Sequence, residues 1–316
     1  MEPASTILNS LAEDAASTVF SYESRFYIPY LSITFGLALA ICYHRAGSLH
    51  GAAREMLRRD VFLHRSSIND YKVIALNFLI LGTVSGVGFL GGFSLAEKAA
   101  ALLRFAFGPG PQWTAGFLDV VIYSVALFLA YDSGNFLQHF LQHRNPLLWE
   151  LHKVHHSAEV MTPLTSVRVH PLSSIFASIV LALVFAIVSS GFLYLYRDIN
   201  ANVLALSVLF ILHYTVGAYH LQHSHIWISF PPMISAVFVS PSMHMIHHSN
   251  NPKHFGRNLG FALTVWDRLA GTLYIPDDGE ASGIALGLDD TEQLQMQTVA
   301  QLYFTPLRRI LGKRPA

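Results

Sequence analysis

The chain has 316 residues, of which 52% are hydrophobic and only 13% are charged. A typical soluble domain carries about 25% charged residues, so this composition disfavours an ordinary cytosolic enzyme and a disordered chain. The 20 basic and 20 acidic residues cancel, so bulk charge gives no argument for nucleic-acid binding. A single cysteine, Cys42, excludes a disulfide framework, a cysteine zinc site and an iron–sulfur cluster.

Five apolar stretches are long enough, or nearly so, to cross a bilayer as helices. A spanning helix needs roughly 20 mostly apolar residues, with a range of about 17–25. The predicted spans are Tyr27–Tyr43, Val73–Ala96, Ala115–Tyr131, Leu172–Tyr196 and Ala201–Tyr219. The fourth span is the cleanest because it holds no charged residue, whereas the third has Asp119 near its start. A buried soluble helix is an alternative for any one of them, but not for all five together.

The basic residues predict how these spans are oriented. Cytoplasmic loops of membrane proteins carry an excess of Lys and Arg. With the N-terminus outside and five alternating spans, the basic residues outside are Arg25, Lys98, Arg104 and Arg197. The other sixteen of the 20 fall inside. The five spans predict an all-α, multi-pass bundle of about five membrane helices. With this charge asymmetry, the histidine-rich segments are predicted to form a helical cap in the cytosol.

Most of the 17 histidines form tight groups, and nearly all of these groups fall near the predicted cytosolic ends of the helices or after the fifth span. His139 and His143 are spaced i, i+4, which places both on one face if the third helix continues past the membrane. The segments LHKVHHS and MHMIHHS repeat an HxxHH spacing that puts three imidazoles on one helical stripe. These triads are His152, His155 and His156, then His244, His247 and His248. A further group lies at the inner end of the fifth span: His213, His220, His223 and His225.

These groups favour metal binding. Neutral imidazole is the commonest protein metal ligand, and so many ionisable rings would repel one another on protonation if no metal held them. One zinc ion takes three or four protein ligands, so the number of imidazoles predicts two ions. Zinc, copper and iron all accept imidazole, and spacing alone leaves the metal open. The more isolated histidines are interpreted as structural: His44, His50, His64 and His213.

Five segments then occur in order between Asp132 and Leu288: PLLWELHKVHHS, SVRVHPL, QHSHI, SPSMHMIHHS and NLGFALTVWDRLAGT. They strongly resemble the fatty acid hydroxylase/sterol desaturase superfamily of integral-membrane di-iron oxygenases. The resemblance implies two iron ions, dioxygen as co-substrate, and an external electron donor such as cytochrome b5 or ferredoxin. Carried over position by position, it implies ten metal ligands: His139, His143, His152, His155, His156, His220, His223, His244, His247 and His248.

The resemblance also predicts the organisation of the chain. Residues 1–114 are expected to hold the N-terminal membrane helices and a basic inner loop, and residues 115–288 a catalytic domain like that of the superfamily. Residues 289–316 are expected to be a cytosolic C-terminal tail. The protein is predicted to lie in the bacterial inner membrane or the endoplasmic reticulum, with its active site on the cytosolic side. Its expected partners are the bilayer, the lipid substrate and the electron donor, with no nucleic acid.

Several polar residues near the clusters have predicted supporting roles. Metal-bound imidazoles usually donate their other N–H to a carboxylate or carbonyl. Asp132 lies seven positions before His139, so it is a candidate acceptor, the alternative being a helix-end carboxylate that faces headgroups. Asp267 and Arg268 are predicted to form an ion pair that anchors the cap. His225 is expected to be a supporting or packing residue and not a ligand.

The predicted function is an O2-dependent lipid oxidoreductase that hydroxylates or desaturates a C–H bond of a fatty acyl chain or a sterol. Two other classes of function are considered. A histidine-rich metal transporter would place ionisable ligands near the bilayer midplane, whereas these clusters lie at one membrane face. A membrane protein that senses metal or pH would not require two repeated HxxHH triads.

Overall fold

The computed structural model describes residues 27–81, 85–199 and 219–312. These residues form helices, with isolated backbone bridges and no strands among them, which confirms the predicted all-α class. The part of the fifth predicted span at 201–218, which includes His213, lies outside the described residues.

Five helices make up the N-terminal part of the described chain. They are α1 (Ile28–Ala46), α2 (Leu49–Met56), α3 (Arg59–Phe62), α4 (Arg65–Leu81) and α5 (Ser85–Phe107). The first predicted span corresponds to α1, which ends at Gly47 with a φ of 67°. Glycine adopts this left-handed conformation without steric cost, so the chain can turn directly into α2. The second predicted span, Val73–Ala96, is shared between α4 and α5.

Two helices among the described residues are long and apolar enough to cross a membrane: α6 (Phe117–Arg144) and α8 (Pro171–Leu195), of 28 and 25 residues. Only 33% and 22% of their most apolar windows are buried, which differs from the core helix of a soluble protein. These helices indicate a membrane protein, while the five-span count and the cytosolic side remain predictions. At about 1.5 Å per residue, α6 is ~42 Å long and exceeds a hydrocarbon core of about 30 Å. Because this helix extends to Arg144, it includes His143, as the histidine spacing predicted.

Helix α8 packs against both α5 and α6. Tyr123 and Leu127 of α6 are buried against Phe185 of α8, with Phe93 of α5 beside them. The Tyr123 hydroxyl also donates a hydrogen bond to Ser189 Oγ at 3.1 Å. Gly134 allows close approach of the backbones, because a Cβ there would lie 3.0 Å from Leu181 Cδ2. This packing sets the position of the histidine-bearing end of α6.

The remaining helices of the described residues are short. They are α7 (Pro146–His156), α9 (Tyr219–Gln222), α10 (Pro232–Ser235), α11 (Pro241–His247), α12 (Val265–Ala270), α13 (Asp290–Gln293) and α14 (Val299–Ile310). Four 3-10 helices accompany them, at Pro163–Val167, Pro252–His254, Asp278–Gly283 and Leu294–Met296.

The two HxxHH helices, α7 and α11, begin at well-defined caps. The Asn145 side chain accepts hydrogen bonds from the N–H groups of Leu147 and Leu148, and Ser240 Oγ accepts one from Met243. Each cap is followed by proline at the first helical position, where the missing N–H costs nothing. The local sequence therefore determines where each triad-bearing helix starts, and hence which way its histidines face.

Candidate metal centre

Nine histidines converge into two groups. In each group the nearest imidazole nitrogens all lie within 4.8 Å of one another. The first group is His139, His143, His152, His156 and His247. The second group is His155, His223, His244 and His248. Within the described part of the chain, the structure thus brings together nine of the ten sequence-predicted ligands.

The two HxxHH triads are divided between the groups in opposite ways. From α7, the i, i+4 pair His152 and His156 joins the first group, while His155 joins the second. From α11 and the residue after it, the i, i+4 pair His244 and His248 joins the second group, while His247 joins the first. Side chains four positions apart lie nearly above one another on a helix, whereas the member between them is rotated towards the neighbouring space. The repeated motif therefore links the two groups.

The second group has the spacing of ligands around one ion. Its Nε2 atoms are 3.1 Å apart between His155 and His223, 2.9 Å between His223 and His244, and 3.2 Å between His244 and His248. A metal–imidazole bond is about 2.0–2.1 Å for zinc, so two nitrogens at a right angle around one ion lie about 3 Å apart. The four nitrogens fit a shared cation.

The first group presents nitrogens with no other partner. The Nε2 atoms of its five members are buried, and none forms a hydrogen bond within the described chain. The Nδ1 atom of His139 bonds the carbonyl of Leu259 at 2.9 Å, and that of His247 bonds the carbonyl of Arg257 at 2.8 Å. A carbonyl only accepts, so both Nδ1 atoms carry the proton and both Nε2 atoms keep a lone pair. Buried polar atoms without partners are costly, and a metal ion would satisfy them.

Burial keeps these imidazoles neutral. Burial first, and then repulsion from the imidazole of His139, lowers the pKa of His155 to about 3. Burial first, and then positive charge on neighbouring imidazoles, lowers the pKa of five other members well below 6.5: His152, His156, His244, His247 and His248. Neutral imidazole is the form that binds metal, so the nine-nitrogen donor set fits two transition-metal ions.

Two other histidines near the clusters lie outside both groups. His220, the tenth predicted ligand, is buried with its ring against Tyr219 and belongs to neither group. His225 donates from Nε2 to the carbonyl of Glu55 at 2.9 Å and contacts the Phe62 ring edge-on. It packs on the N-terminal helices, which fits the packing alternative predicted for it.

Asp132 has a different role from the predicted ones. Its carboxylate is fully buried and accepts hydrogen bonds from the main-chain N–H of Ala262 and Leu263 and from the Trp266 indole. It therefore binds neither His139 nor headgroups, because the segment before α12 folds back over α6 and occupies it. The sequence could not show this contact, which joins positions 130 residues apart.

Asp267 and Arg268 do not form the predicted ion pair. The Asp267 carboxylate is fully buried and accepts the N–H of Leu259 and Gly260 at 2.8 and 2.7 Å. Arg268 instead donates to the carbonyl of Ala236 at 2.9 Å. Adjacent residues on a helix point about 100° apart, so they meet different neighbours.

Arg168 and Asp70 form a buried ion pair behind α7. The guanidinium is 1% exposed and lies 2.8 Å from Asp70 Oδ1, which belongs to α4. It also donates to the carbonyl of Val154 at 2.9 Å and to Ser157 Oγ at 2.8 Å, at the end of α7 that carries His155 and His156. Arg168 lies in the segment SVRVHPL that carries the family resemblance, but no local pattern indicated Asp70.

A polar cleft of about 1000 Å³ reaches the first group. Three of its lining residues are the group members His143, His156 and His247. Its other walls include the basic residues Arg144 and Lys253. None of the four histidines of the second group lines this cleft. The two groups therefore differ in their access from outside.

Sequence comparisons show which known proteins this chain is similar to. Residues 124–272, which contain all nine grouped histidines, match the family model for fatty acid hydroxylase. Alkylglycerol monooxygenase of Danio rerio is 27% identical over 157 residues, covering 50% of this chain and 32% of the relative. Ornithine lipid hydroxylase OlsE of Rhizobium tropici is 24% identical over 204 residues, covering 65% and 56%. Delta(7)-sterol 5(6)-desaturase of Eremothecium gossypii is 26% identical over 165 residues, covering 51% and 40%.

The matched part of the chain thus spans between 32% and 56% of the length of these relatives. No solved structure gives a significant match to this chain.

Proposed function

We propose that this chain, whose residues 124–272 match the family model for fatty acid hydroxylase as the sequence resemblance predicted, is a membrane-bound di-iron oxygenase. It would use dioxygen to hydroxylate or desaturate a C–H bond of a lipid such as a fatty acyl chain or a sterol. The names of the relatives, an alkylglycerol monooxygenase, an ornithine lipid hydroxylase and a sterol desaturase, support a lipid substrate. The observation that carries the proposal is the convergence of nine imidazoles into two groups within this domain.

The residues of the chain would bind and shield the metal. Two iron ions would supply the activation of dioxygen that attack on an unactivated C–H bond requires. Burial keeps the imidazoles neutral and limits contact with bulk water, and the carbonyls of Arg257 and Leu259 orient two of the rings. Electrons would come from a separate donor of the cytochrome b5 or ferredoxin kind.

The proposed arrangement in the membrane follows from the two long apolar helices. The outward side chains of α8 include Ile179 and Ile187, which are 55% and 72% exposed and suit contact with acyl chains. His139 and His143 lie at the end of α6, so a lipid could reach the first group laterally from the bilayer. We propose a multi-pass protein with this end on the cytosolic side. The transporter and sensor alternatives are not favoured, because the relatives are oxidoreductases by name.

Comparative lipid analysis tests the reaction. Cells that express the wild-type chain should contain a lipid that has gained one oxygen atom, or lost two hydrogen atoms, relative to cells that express His155→Ala. Mass spectrometry of total lipid extracts measures both shifts. Iron analysis of the purified wild-type protein should give two ions per chain. Unchanged lipids from cells whose purified protein holds two irons would contradict the oxygenase assignment.

Chelation tests the different access to the two groups. A water-soluble ferrous chelator should remove iron in two phases of about equal amplitude, because the cleft reaches only the first group. Absorbance of the iron–chelator complex follows the release over time. Replacing His247 by alanine should remove the fast phase and leave the slow one. Release of both ions in a single phase would show that the cleft does not control access.

A further inference from the structure

One short main-chain segment orients ligands from two different helices. His139 belongs to α6 and His247 to α11. Their Nδ1–H groups donate to the carbonyls of Leu259 and Arg257, which are two residues apart. The position of both rings in the first group therefore depends on how the segment Arg257–Gly260, here called the carbonyl clamp, is held.

Asn258 holds the middle of the carbonyl clamp. Its φ is 52°, a left-handed conformation that asparagine tolerates better than most residues. It is 1% exposed, and its amide nitrogen donates to the carbonyls of Met243 and Tyr274 at 3.0 and 2.7 Å. Its Oδ1 accepts the N–H of Tyr274 at 2.7 Å. Met243 precedes His244 on α11, so Asn258 ties the clamp to a histidine-bearing helix.

Asp267 holds the other end of the carbonyl clamp. Its Oδ1 accepts the N–H of Leu259 at 2.8 Å and the Thr272 hydroxyl at 2.6 Å, and its Oδ2 accepts the N–H of Gly260 at 2.7 Å. The peptide groups of Leu259 are thus fixed on both sides, by Asp267 at the N–H and by His139 at the carbonyl. A Cβ at Gly260 would lie 2.7 Å from Asp267 Oδ2, so only glycine permits this approach.

We propose that Asp267 and Asn258 are positioning residues for the first group. They hold the carbonyls of Arg257 and Leu259 so that His247 and His139 keep their protons on Nδ1 and direct their Nε2 lone pairs towards one ion. This inference rests on the proposed function for the identity of the ion. Hydrogen-bond partners behind metal-bound histidines typically contribute 10–100-fold to metal affinity. Asp267 acts through one intervening peptide group, and its effect should be confined to one of the two ions.

Asp132 supplies a matched control. It is as buried as Asp267 and also accepts two main-chain N–H bonds from the same region, those of Ala262 and Leu263. Neither of those residues supplies the carbonyls that bind His139 and His247. A purely structural role would make Asp267→Asn and Asp132→Asn equivalent, whereas a positioning role separates them.

The experiment is titration of ferrous iron into the purified full-length apoprotein under anaerobic conditions. Wild type and Asp132→Asn should bind two ions with the same affinities. Asp267→Asn should bind one ion normally and the other about 10- to 100-fold more weakly. Asn258→Gly keeps the left-handed backbone but removes three side-chain hydrogen bonds. It should lower the affinity for the same ion, and it serves as the test variant if Asp267→Asn does not fold.

Two results would overturn the inference. One is wild-type affinity for both ions in Asp267→Asn or, where that variant is unfolded, in Asn258→Gly. The other is an equal loss of affinity for the same ion in Asp132→Asn. Failure of the proposed function would look different, because the wild-type protein itself would then bind no iron or would leave cellular lipids unchanged.

Discussion

Replacing His247 or His155 by alanine is expected to abolish lipid oxidation and to reduce the iron content from two ions per chain towards one. His247 belongs to the first group and His155 to the second, so each variant removes a ligand from a different ion. Turnover should fall by more than about 100-fold, since even a residue behind a metal ligand commonly contributes 10–100-fold. Oxidised lipid and iron per chain are measured on the same purified preparations.

The control for this pair is His50→Gln. His50 is exposed and lies outside both groups, so its replacement should leave iron content and turnover unchanged. A second comparison uses adjacent residues: His247→Ala should remove the chelator's fast phase, and His248→Ala should remove the slow one. Variants that keep both ions and normal turnover would show that these imidazoles are not ligands.

Breaking the buried pair of Arg168 and Asp70 is expected to destabilise the protein by about 3–5 kcal/mol, as for other buried pairs that lose one partner. The two side chains are 1% and 0% exposed, so Arg168→Met or Asp70→Leu leaves an uncompensated charge in a low-dielectric environment. Arg168 also satisfies the carbonyl of Val154 on α7, so its loss should loosen the helix that carries three of the grouped histidines. Denaturant or thermal unfolding in detergent measures the change.

A double variant distinguishes charge pairing from general damage. Asp70→Leu/Arg168→Met removes both charges, so it should be less destabilised than the sum of the two single variants. Arg58→Gln is the surface control, because Arg58 and its partner Asp60 are 51% and 65% exposed and such pairs contribute little. Simple additivity of the two single effects would mean that the ion pair has no energetic coupling.

Much of the site was predictable because it depends on local periodicity. Residues three and four apart lie on one helical face, so HxxHH specifies a stripe of three imidazoles wherever it is helical. The caps Asn145 and Ser240, each followed by proline, fix the start of these helices within a few residues. The motifs between Pro146 and Thr272 add a family resemblance, which the match over residues 124–272 confirms.

The partners of buried charges were not predictable, because they depend on contacts between distant segments. Asp132 was expected either to accept from His139 or to face headgroups, but it accepts the N–H of Ala262, 130 residues away. Asp70 was not singled out, although it pairs with Arg168 at a separation of 98 residues. A carboxylate in an apolar stretch indicates that some buried donor exists, but the sequence does not say which one.

The amino-acid sequence by itself determined the all-α class and nine histidines that converge, because composition and helical spacing are local properties. Only the tertiary structure decided how nine imidazoles divide into two groups, with each HxxHH triad contributing to both. It also decided that the carbonyls of Arg257 and Leu259 orient two of the rings. The physical reason is that a ligand's direction depends on where neighbouring helices pack and which backbone group meets its second nitrogen, and both are set by contacts far apart in the chain.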